Sequence, residues 1–402
     1  MKVLFVPWGT ATHYFHMVPL AWACRVADHE VRVAGHASAA GIVTGTGMTH
    51  IPVAEGHDFD AEFAAMAKKL REKQQHRALA VEHAAELSAE DRDSVHRMRI
   101  APFVSTAEAM AADLVRVAEL WRPDLVIADP MVLAAPLAAR VAGAPLLHHL
   151  WGPALLRVIG VPGCGTPVER WGEDLLRLYA RFGVEPQAES AVGAIDSSPE
   201  NLQVPGVPDR IPIRYVPYNG SGSAPDWLSR PAERPRVCVT WGTTTTEKTG
   251  PEDFVIPRIL QALEQRDLEV VVAVGRPERE LIGAVPPNVR LVEGLPLNLL
   301  LPTCDAVVHH GGTGTMLTAA AAAVPQVLIV SMGHYRLNAG QLEGTGAGTT
   351  VGIEDVTADR VTSAVTTALS EEAVREAARD LREAMRAHPT PAEVVGTLTD
   401  LC

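Results

Sequence analysis

The residue types that bind phosphate groups occur together in one run of the sequence, His309-His310-Gly311-Gly312-Thr313-Gly314-Thr315-Met316-Leu317. The run follows an apolar segment at 305–308 that predicts a buried parallel strand, and it precedes an alanine-rich segment that predicts a helix. Glycines let backbone N–H groups approach an anion, a helix N-terminus favours negative charge, and Thr313 and Thr315 add hydroxyl donors. A ligand-free strand-to-helix turn has similar glycines, but the paired histidines and threonines favour a diphosphate site.

The elements that would position this run alternate between strands and helices along two stretches of the chain. Apolar segments predict strands at 3–6, 30–34, 125–128 and 145–148, and again at 236–240, 268–274, 289–292, 306–309 and 326–330. Helices are predicted at 17–27, 61–73, 102–119, 134–141, 254–265, 318–323, 357–369 and 372–386. Strands that alternate with helices indicate right-handed β-α-β units. We therefore expect an α/β fold with two Rossmann-like, doubly wound parallel sheets that face a cleft.

The length of the chain, 402 residues, exceeds what one hydrophobic core normally supports, so two domains are expected. Glycine, serine and proline are concentrated at 218–235, which predicts a linker. The expected organisation is an N-terminal domain over 1–217, the linker, and a C-terminal domain over 236–385. The final segment, 386–402, follows the C-terminal domain, and whether it crosses back to the N-terminal domain stays open at this point.

Composition and charge exclude several classes of partner. The chain is 47% hydrophobic and 21% charged, as in an ordinary globular protein. Its net charge of −13 argues against nucleic acid or an anionic membrane as the main partner, because both require clustered basic residues. The five cysteines are scattered and form no C-x-x-C motif, which is typical of reduced thiols. Reduced thiols suit a cytoplasmic protein, which is the location we expect. No apolar run has the length of a membrane span.

Further motifs extend over nearly the whole chain. They are Thr12-His13 with the segment 18–23 after it, and the segments 121–129, 215–220, 295–312 and 389–395. Together they resemble those of nucleotide-sugar-dependent glycosyltransferases with two Rossmann domains (GT-B fold, family 1), in particular actinomycete enzymes that attach deoxysugars to polyketide natural products. The linker and the segment 149–152 are most similar to spinosyn-type rhamnosyltransferases. The resemblance implies that the N-terminal domain binds the acceptor and the C-terminal domain binds the nucleotide sugar.

The resemblance also implies a catalytic pair. Glycosyl transfer to a hydroxyl requires a base for the acceptor proton, and a neutral histidine can accept one at cytoplasmic pH. His13 matches the family's general base, and Asp129 matches the residue that orients it. His149 and Trp151, at and just after a predicted strand end, are expected to line the acceptor pocket.

For the donor, the resemblance implies a thymidine diphosphate (TDP) sugar, bound without a metal or another cofactor. The expected diphosphate contacts are Thr243, His310, Gly311, Gly312, Thr313, Gly314 and Thr315, and the backbone of Leu295 is expected to pair with the nucleobase. The expected sugar contacts are His334, Tyr335 and Asn338. The first two replace an Asp-Gln pair that binds sugar hydroxyls in relatives, so we expect a deoxysugar, rhamnose-like donor.

The predicted function is therefore an inverting transfer of a deoxysugar from a TDP-sugar to a hydroxyl of a small, hydrophobic natural product. Two alternatives are a nucleotide-sugar 2-epimerase of the same fold and a non-catalytic partner that holds a nucleotide sugar. A nicotinamide dehydrogenase is disfavoured because the first strand is not followed by G-x-G-x-x-G. The sequence leaves open the acceptor, the sugar, an oxygen or carbon linkage, homodimer formation and the need for an activator protein.

Overall fold

The structure is a computed structural model that describes residues 1–59, 61–62, 64–66, 88–242, 254–331 and 334–402, with the backbone alone for 89–92 and 334. Most of the helix predicted at 61–73 and the diphosphate candidate Thr243 lie outside the described residues. The chain divides into two compact units. Unit 1 comprises residues 1–197, 204–214 and 388–402, and unit 2 comprises residues 198–203 and 215–387. Residues 218–235, the predicted linker, therefore belong to unit 2.

The sheet of unit 1 has seven parallel strands. They are β1 (Lys2–Val6), β2 (Glu30–His36), β3 (His50–Val53), β4 (Leu125–Ala128), β5 (Leu146–His149), β6 (Gly193–Asp196) and β7 (Arg210–Pro212). Their spatial order is β3-β2-β1-β4-β5-β6-β7. In the described part of the chain before β7, the α-helices are α1 (Ala11–Tyr14), α2 (Val18–Val26), α3 (Ala40–Thr44), α4 (Ala89–Trp121), α5 (Ala135–Ala142), α6 (Leu155–Ile159) and α7 (Glu173–Arg181).

The sheet of unit 2 has six parallel strands. They are β8 (Arg236–Thr240), β9 (Glu269–Val274), β10 (Val289–Glu293), β11 (Ala306–His309), β12 (Gln326–Val330) and β13 (Gly348–Gly352), in the order β10-β9-β8-β11-β12-β13. Among its described residues, this unit has the α-helices α8 (Ile256–Leu263), α9 (Arg276–Ile282), α10 (Leu297–Leu300), α11 (Thr313–Ala321), α12 (His334–Thr345), α13 (Ala358–Ser370) and α14 (Glu372–Arg386). These two sheets confirm the predicted α/β class.

The structure adds four strands that the sequence analysis missed, β3, β6, β7 and β13. Each has three to five residues, and β3, β7 and β13 lie at sheet edges, where half of the backbone groups do not need a strand partner. Proline in β3 and β7 and glycine in β13 also lower the strand signal. The helix predicted to begin at 102 begins at Ala89 instead and continues through Pro102, which has no N–H to donate within the helix.

The last helix, α15 (Pro391–Thr399), belongs to unit 1 and packs against α2. Its start is fixed by a capping box, because the Thr390 side chain accepts from the Glu393 N–H and the Glu393 carboxylate accepts from the Thr390 N–H. Pro391 at the first helical position has no N–H to leave unsatisfied. Within the described residues, no helix combines the length and the apolar composition that crossing a bilayer requires.

Both units bury histidines close to their sheets. Burial is the main cause that lowers the pKa of His16 to about 3 and the pKa values of His148 and His149 to about 4 in unit 1. In unit 2, burial likewise lowers the pKa of His309 to about 4, although its hydrogen bond to Gln326 acts in the opposite direction. All four imidazoles are therefore neutral at pH 7.

Acidification should destabilise the folded protein below neutral pH. An unfolded histidine takes up a proton near pH 6.5, whereas these four remain neutral until about pH 4 or lower. The unfolded state thus binds more protons in this window, so the stability present above about pH 6.5 is lost as the pH falls toward the folded pKa values. Thermal unfolding midpoints measured across this window should decrease as the pH is lowered.

Carboxylates also titrate in acid and change the stability. The variant His148→Asn therefore measures the contribution of one histidine separately. Between about pH 6.5 and 4 it should reduce the pH slope of the unfolding free energy by up to about 1.4 kcal/mol per pH unit. Above pH 7 the slopes of the two proteins should coincide. An equal slope in the acid window would contradict the assignment of a neutral His148.

Candidate active site

His13 and Asp129 are brought together by two neighbouring strands of unit 1. His13 lies on the short helix α1, seven residues beyond the end of β1, and its N–H donates to the carbonyl of Thr10. Asp129 directly follows β4, which pairs in parallel with β1 so that Val6 lies opposite Ala128. The N–H of Asp129 also donates to the carbonyl of Val6. Both side chains are thereby held at the carboxyl edge of the sheet, where α/β proteins bind their ligands.

The side chains of His13 and Asp129 form a short hydrogen bond, with 2.6 Å between Nδ1 and Oδ2. The Asp129 side chain is 0% exposed and the His13 side chain is 16% exposed. The second carboxylate oxygen of Asp129 accepts from the N–H of Met131 at 2.8 Å. Because a carboxylate only accepts, Nδ1 of His13 carries the proton, and Nε2 keeps the lone pair that can act as a base.

Aromatic and imidazole rings surround this pair. The ring of Trp151 is 4.9 Å from that of His13, at an angle of 59°. His16 and His149 lie close enough to interact electrostatically with each other, and both are neutral because burial lowers their pKa values. These two neutral imidazoles add no positive charge beside the hydrogen bond that joins His13 to the carboxylate of Asp129.

A pocket in unit 1 adjoins this pair. Its lining includes Pro130, His148, Trp151, Arg157, Cys164 and Glu189. An ion pair joins Arg157 to Glu189 at 2.6 Å, and burial raises the pKa of the Cys164 thiol to about 12. Of the two residues expected to line an acceptor pocket, Trp151 lines this one and His149 does not. Successive side chains of a strand point to opposite faces, so His148 faces the pocket and His149 is buried with 3% exposed.

The glycine-rich run lies between β11 and α11 in unit 2. Gly312 is the N-cap of α11 and Thr313 is its first residue. The N–H groups at the start of a helix lack intrahelical acceptors, so the amides of Thr313, Gly314 and Thr315 point toward a prospective anion. Gly312 and Gly314 are partly exposed, whereas the threonines beside them are buried. The backbone of this turn is therefore more accessible than its side chains.

A buried chain of hydrogen bonds holds the base of the turn. The Gly311 N–H donates to Nδ1 of His309 at 3.2 Å, so the ring proton is on Nε2, which donates to Oε1 of Gln326 at 3.0 Å. The amide nitrogen of Gln326 donates in turn to the carbonyl of Met316 at 3.2 Å. The Gly311 amide, one of the predicted diphosphate donors, is engaged within the protein. The chain ties the turn to the body of α11.

Close packing around His310 explains one of the glycines. A Cβ at Gly312 would lie 2.5 Å from Nε2 of His310, so a side chain would displace the imidazole. The His310 ring also contacts Tyr335 edge to face at 5.1 Å and Trp241 at 6.0 Å. Tyr335, predicted to contact the sugar, is therefore near the glycine-rich turn. His334 begins α12, and its side chain is outside the described residues.

Two further predicted donor residues are also in unit 2. Asn338 is on α12 with 0% exposed, and its amide nitrogen donates to the carbonyl of Gly311 and to the hydroxyl of Thr313. Leu295 is half-buried just before α10, among the side chains between the sheet and α11. The structure thus brings Asn338 and Tyr335 to the turn. Leu295 lies in a separate loop of the same unit.

The structure adds residues that the sequence analysis did not single out. Asn219 lies in the predicted linker, yet its Oδ1 accepts from the N–H of Asn298 at 2.9 Å and its Nδ2 donates to the hydroxyl of Thr318 at 3.2 Å. The hydroxyl of Tyr215 also meets Thr318, at 3.1 Å. Through Asn219, these bonds join α10 to α11. The sequence signal for Asn219 was its place in a Tyr-Asn pair directly before the Gly-Ser tract. The signal for Gln326, which was also not singled out, was a polar residue at the start of a buried strand.

Across the described residues, the structure contains no group of three or more histidine, cysteine, aspartate or glutamate side chains arranged to hold a metal ion.

Comparisons with known proteins agree with this geometry. The family model for the N-terminal domain of erythromycin biosynthesis protein CIII-like proteins matches residues 22–242, and the model for their C-terminal domain matches residues 257–401. A 10-deoxymethynolide desosaminyltransferase of Streptomyces venezuelae is 35% identical over 100% of this chain and 97% of its own. A tylactone mycaminosyltransferase of Streptomyces fradiae is 34% identical over 100% of this chain and 92% of its own.

Solved structures give the same result. The spinosyn forosaminyltransferase SpnP has a TM-score of 0.80 and 31% identity, and it covers 100% of this chain and 99% of its own. The spinosyn rhamnosyltransferase SpnG in complex with thymidine diphosphate has a TM-score of 0.81 and 27% identity, over 99% of this chain and 100% of its own. These matches confirm the resemblance inferred from the sequence motifs. The chain therefore belongs to the erythromycin biosynthesis protein CIII-like family of glycosyltransferases.

Proposed function

We propose that this glycosyltransferase moves a deoxysugar, rhamnose-like, from a TDP-sugar to a hydroxyl of a polyketide or related natural product, with inversion at the anomeric carbon. The names of its relatives support this class of reaction, since they are desosaminyl, mycaminosyl and forosaminyl transferases. Three of its structural neighbours are complexes with thymidine diphosphate. The single observation that carries the mechanism is the hydrogen bond between His13 and the buried Asp129.

In the proposed step, Nε2 of His13 accepts the proton of the acceptor hydroxyl as the oxygen attacks the anomeric carbon. The bond between that carbon and the diphosphate oxygen breaks, and TDP leaves with the electron pair. Asp129 holds the imidazole in the tautomer with a proton on Nδ1 and stabilises the imidazolium that forms. Attack from the face opposite to the leaving diphosphate inverts the configuration.

The proposed stabilisation of the leaving diphosphate comes from the turn of unit 2. The candidate donors are His310, the helical N–H groups of 313–315, and the hydroxyls of Thr313 and Thr315, with Thr243 as a further contact. Preorganised donors and a helix N-terminus stabilise charge as it develops on the leaving oxygens. We propose that these groups suffice without a metal ion. Leu295 is the proposed contact of the nucleobase.

For the acceptor, we propose the pocket beside His13. Trp151 and its apolar neighbours match a hydrophobic aglycone, and Arg157 and Glu189 provide polar contacts at its wall. For the sugar, we propose His334 and Tyr335, because neutral side chains there suit a sugar that lacks a hydroxyl. The epimerase and the non-catalytic alternatives gain no support, since the relatives are named as transferases.

The function itself is tested by incubating the protein with a panel of TDP-sugars and of macrolide and anthracycline aglycones, and by detecting the glycosylated product by mass spectrometry. We expect product with a TDP-deoxyhexose. Epimerised nucleotide sugar without any glycoside, or binding of TDP without either product, would favour one of the alternatives.

Replacing the proposed base should suppress turnover. We expect His13→Ala to lower kcat by roughly two to four orders of magnitude, the usual contribution of a general base. Titration with TDP should show little change in affinity. His29→Ala is the matched control. His29 directly precedes β2, so it lies at the amino ends of the parallel strands, whereas His13 lies beyond their carboxyl ends. If His13→Ala retained the turnover of the wild type, His13 would have no part in the reaction.

Disrupting the turn should weaken the binding of TDP and TDP-sugar alike. His310→Ala removes one charge-assisted hydrogen bond, worth on the order of 1.5–3 kcal/mol, and Gly312→Val displaces the His310 ring. Calorimetric titration measures both losses, with His388→Ala in unit 1 as the control. Addition of a magnesium chelator should leave transfer intact. Strict dependence on a divalent metal would contradict the proposed stabilisation.

Restoring the residues of relatives should change the sugar preference. We expect His334→Asp combined with Tyr335→Gln to favour fully hydroxylated sugars such as glucose, because a carboxylate accepts hydrogen bonds from two hydroxyls. The affinity for TDP should stay the same. Competition between TDP-glucose and TDP-rhamnose measures the change, and an unchanged ranking would remove these residues from the sugar site.

A further inference from the structure

Asn338 is a buried amide whose two N–H groups both reach the glycine-rich turn. It lies on α12 with 0% of its surface exposed, and Nδ2 is 2.9 Å from the Gly311 carbonyl and 2.9 Å from Oγ1 of Thr313. A carbonyl oxygen can only accept a hydrogen bond, so the nitrogen of the amide must face the turn. The orientation of the Asn338 side chain is thus fixed by the chemistry of its partners.

This orientation also fixes the hydroxyl of Thr313. An amide nitrogen only donates, so Oγ1 of Thr313 accepts from Asn338, and its own proton is left for another acceptor. Thr313 is the first residue of α11, where N–H groups without intrahelical acceptors attract an anion. The hydroxyl proton therefore adds a donor at the same helix end.

The same amide holds the peptide of Gly311. This glycine has φ +91°, a conformation that residues with side chains rarely adopt. Its N–H is bonded to His309 and its carbonyl to Asn338, so the protein holds both of its backbone groups. The start of α12 also packs closely here, because a Cβ at Gly311 would lie 3.3 Å from the carbonyl oxygen of Tyr335. The turn is therefore preorganised by contacts from β11 and α12.

We propose that Asn338 is a positioning residue for the donor diphosphate, which sets the Thr313 hydroxyl as a donor and holds the Gly311 peptide in place. It acts on the diphosphate through Thr313, in contrast to the direct sugar contact that the sequence predicted. This inference rests on the proposed function, in which the turn binds the diphosphate of a TDP-sugar.

Binding of TDP, which lacks the sugar, distinguishes the two roles. Asn338→Asp keeps the size of the side chain, removes both donors and presents a carboxylate to two oxygen atoms. Because a carboxylate accepts from the Thr313 hydroxyl, it turns that proton away from the ligand. By calorimetry, we expect TDP and TDP-rhamnose to bind about tenfold more weakly or worse, by the same factor. Thr313→Val should also weaken both, and Asn338→Asp should cost less in that background.

The matched control is Asn288→Asp. Asn288 also donates two hydrogen bonds, in its case to the backbone carbonyls of Leu263 and Leu268 at 3.1 Å and 3.4 Å, but it lies just before β10, away from the turn. The variant Asn288→Asp should lower the thermal unfolding midpoint and leave TDP binding unchanged. If Asn338→Asp does not fold, Asn338→Ser removes both contacts without adding charge, and the same losses are expected.

Three results are decisive. If TDP binds Asn338→Asp as tightly as the wild type and only TDP-rhamnose is weakened, Asn338 contacts the sugar and the inference is overturned. Equal binding of both ligands to variant and wild type overturns it as well. If the wild type does not bind TDP, the proposed function fails, independently of Asn338.

Discussion

The hydrogen bond between His13 and Asp129 depends on a carboxylate that is completely buried, and a buried charge is costly unless the protein stabilises it. Asp129 directly follows the end of β4. Its N–H donates to the carbonyl of Val6 at the end of β1, and its carboxylate accepts from the N–H of Met131. The central position of β1 and β4 in the sheet supplies that support. The pairing of β1 with β4 thus helps to place the carboxylate that contacts Nδ1 of His13, and this contact leaves Nε2 as the nitrogen that can accept a proton.

Unit 2 relies on the same principle with neutral groups. The amides of Gln326 and Asn338 and the imidazole of His309 are buried, and their hydrogen bonds converge on one short turn. Each of these side chains would be destabilising if left unsatisfied, so their partners are fixed together with the backbone of the turn. A turn prepared in this way has its donors oriented before the ligand arrives. In the proposed function, this means that less ordering is required when the diphosphate binds.

The central strands and the glycine-rich turn were predictable from the sequence because their signals are local. Buried parallel strands have continuous apolar runs, and a strand, glycines and a helix start are contiguous at 305–323. The pairing of His13 with Asp129 required the family resemblance, since 116 positions separate the two residues. The edge strands were missed because they are short and contain proline or glycine.

The roles of Asn219 and Gln326 could not be predicted for a different reason. Asn219 contacts residues 79 and 99 positions away, and its neighbours in sequence have the composition of a flexible linker. Gln326 occupies the first position of a strand, where only the fold shows that His309 and Met316 face it. In both cases the hydrogen-bond partners come from distant segments, so no local pattern identifies them.

The central claim is that Asp129 orients His13 as the base for sugar transfer. Its most direct test is the single-turnover rate of Asp129→Asn with saturating TDP-sugar and an aglycone that the wild type glycosylates. An asparagine keeps the shape of the side chain, but it cannot provide the charge that stabilises an imidazolium. We expect a clearly reduced rate, higher than that of His13→Ala, with unchanged affinity for TDP. A wild-type rate in Asp129→Asn would contradict it.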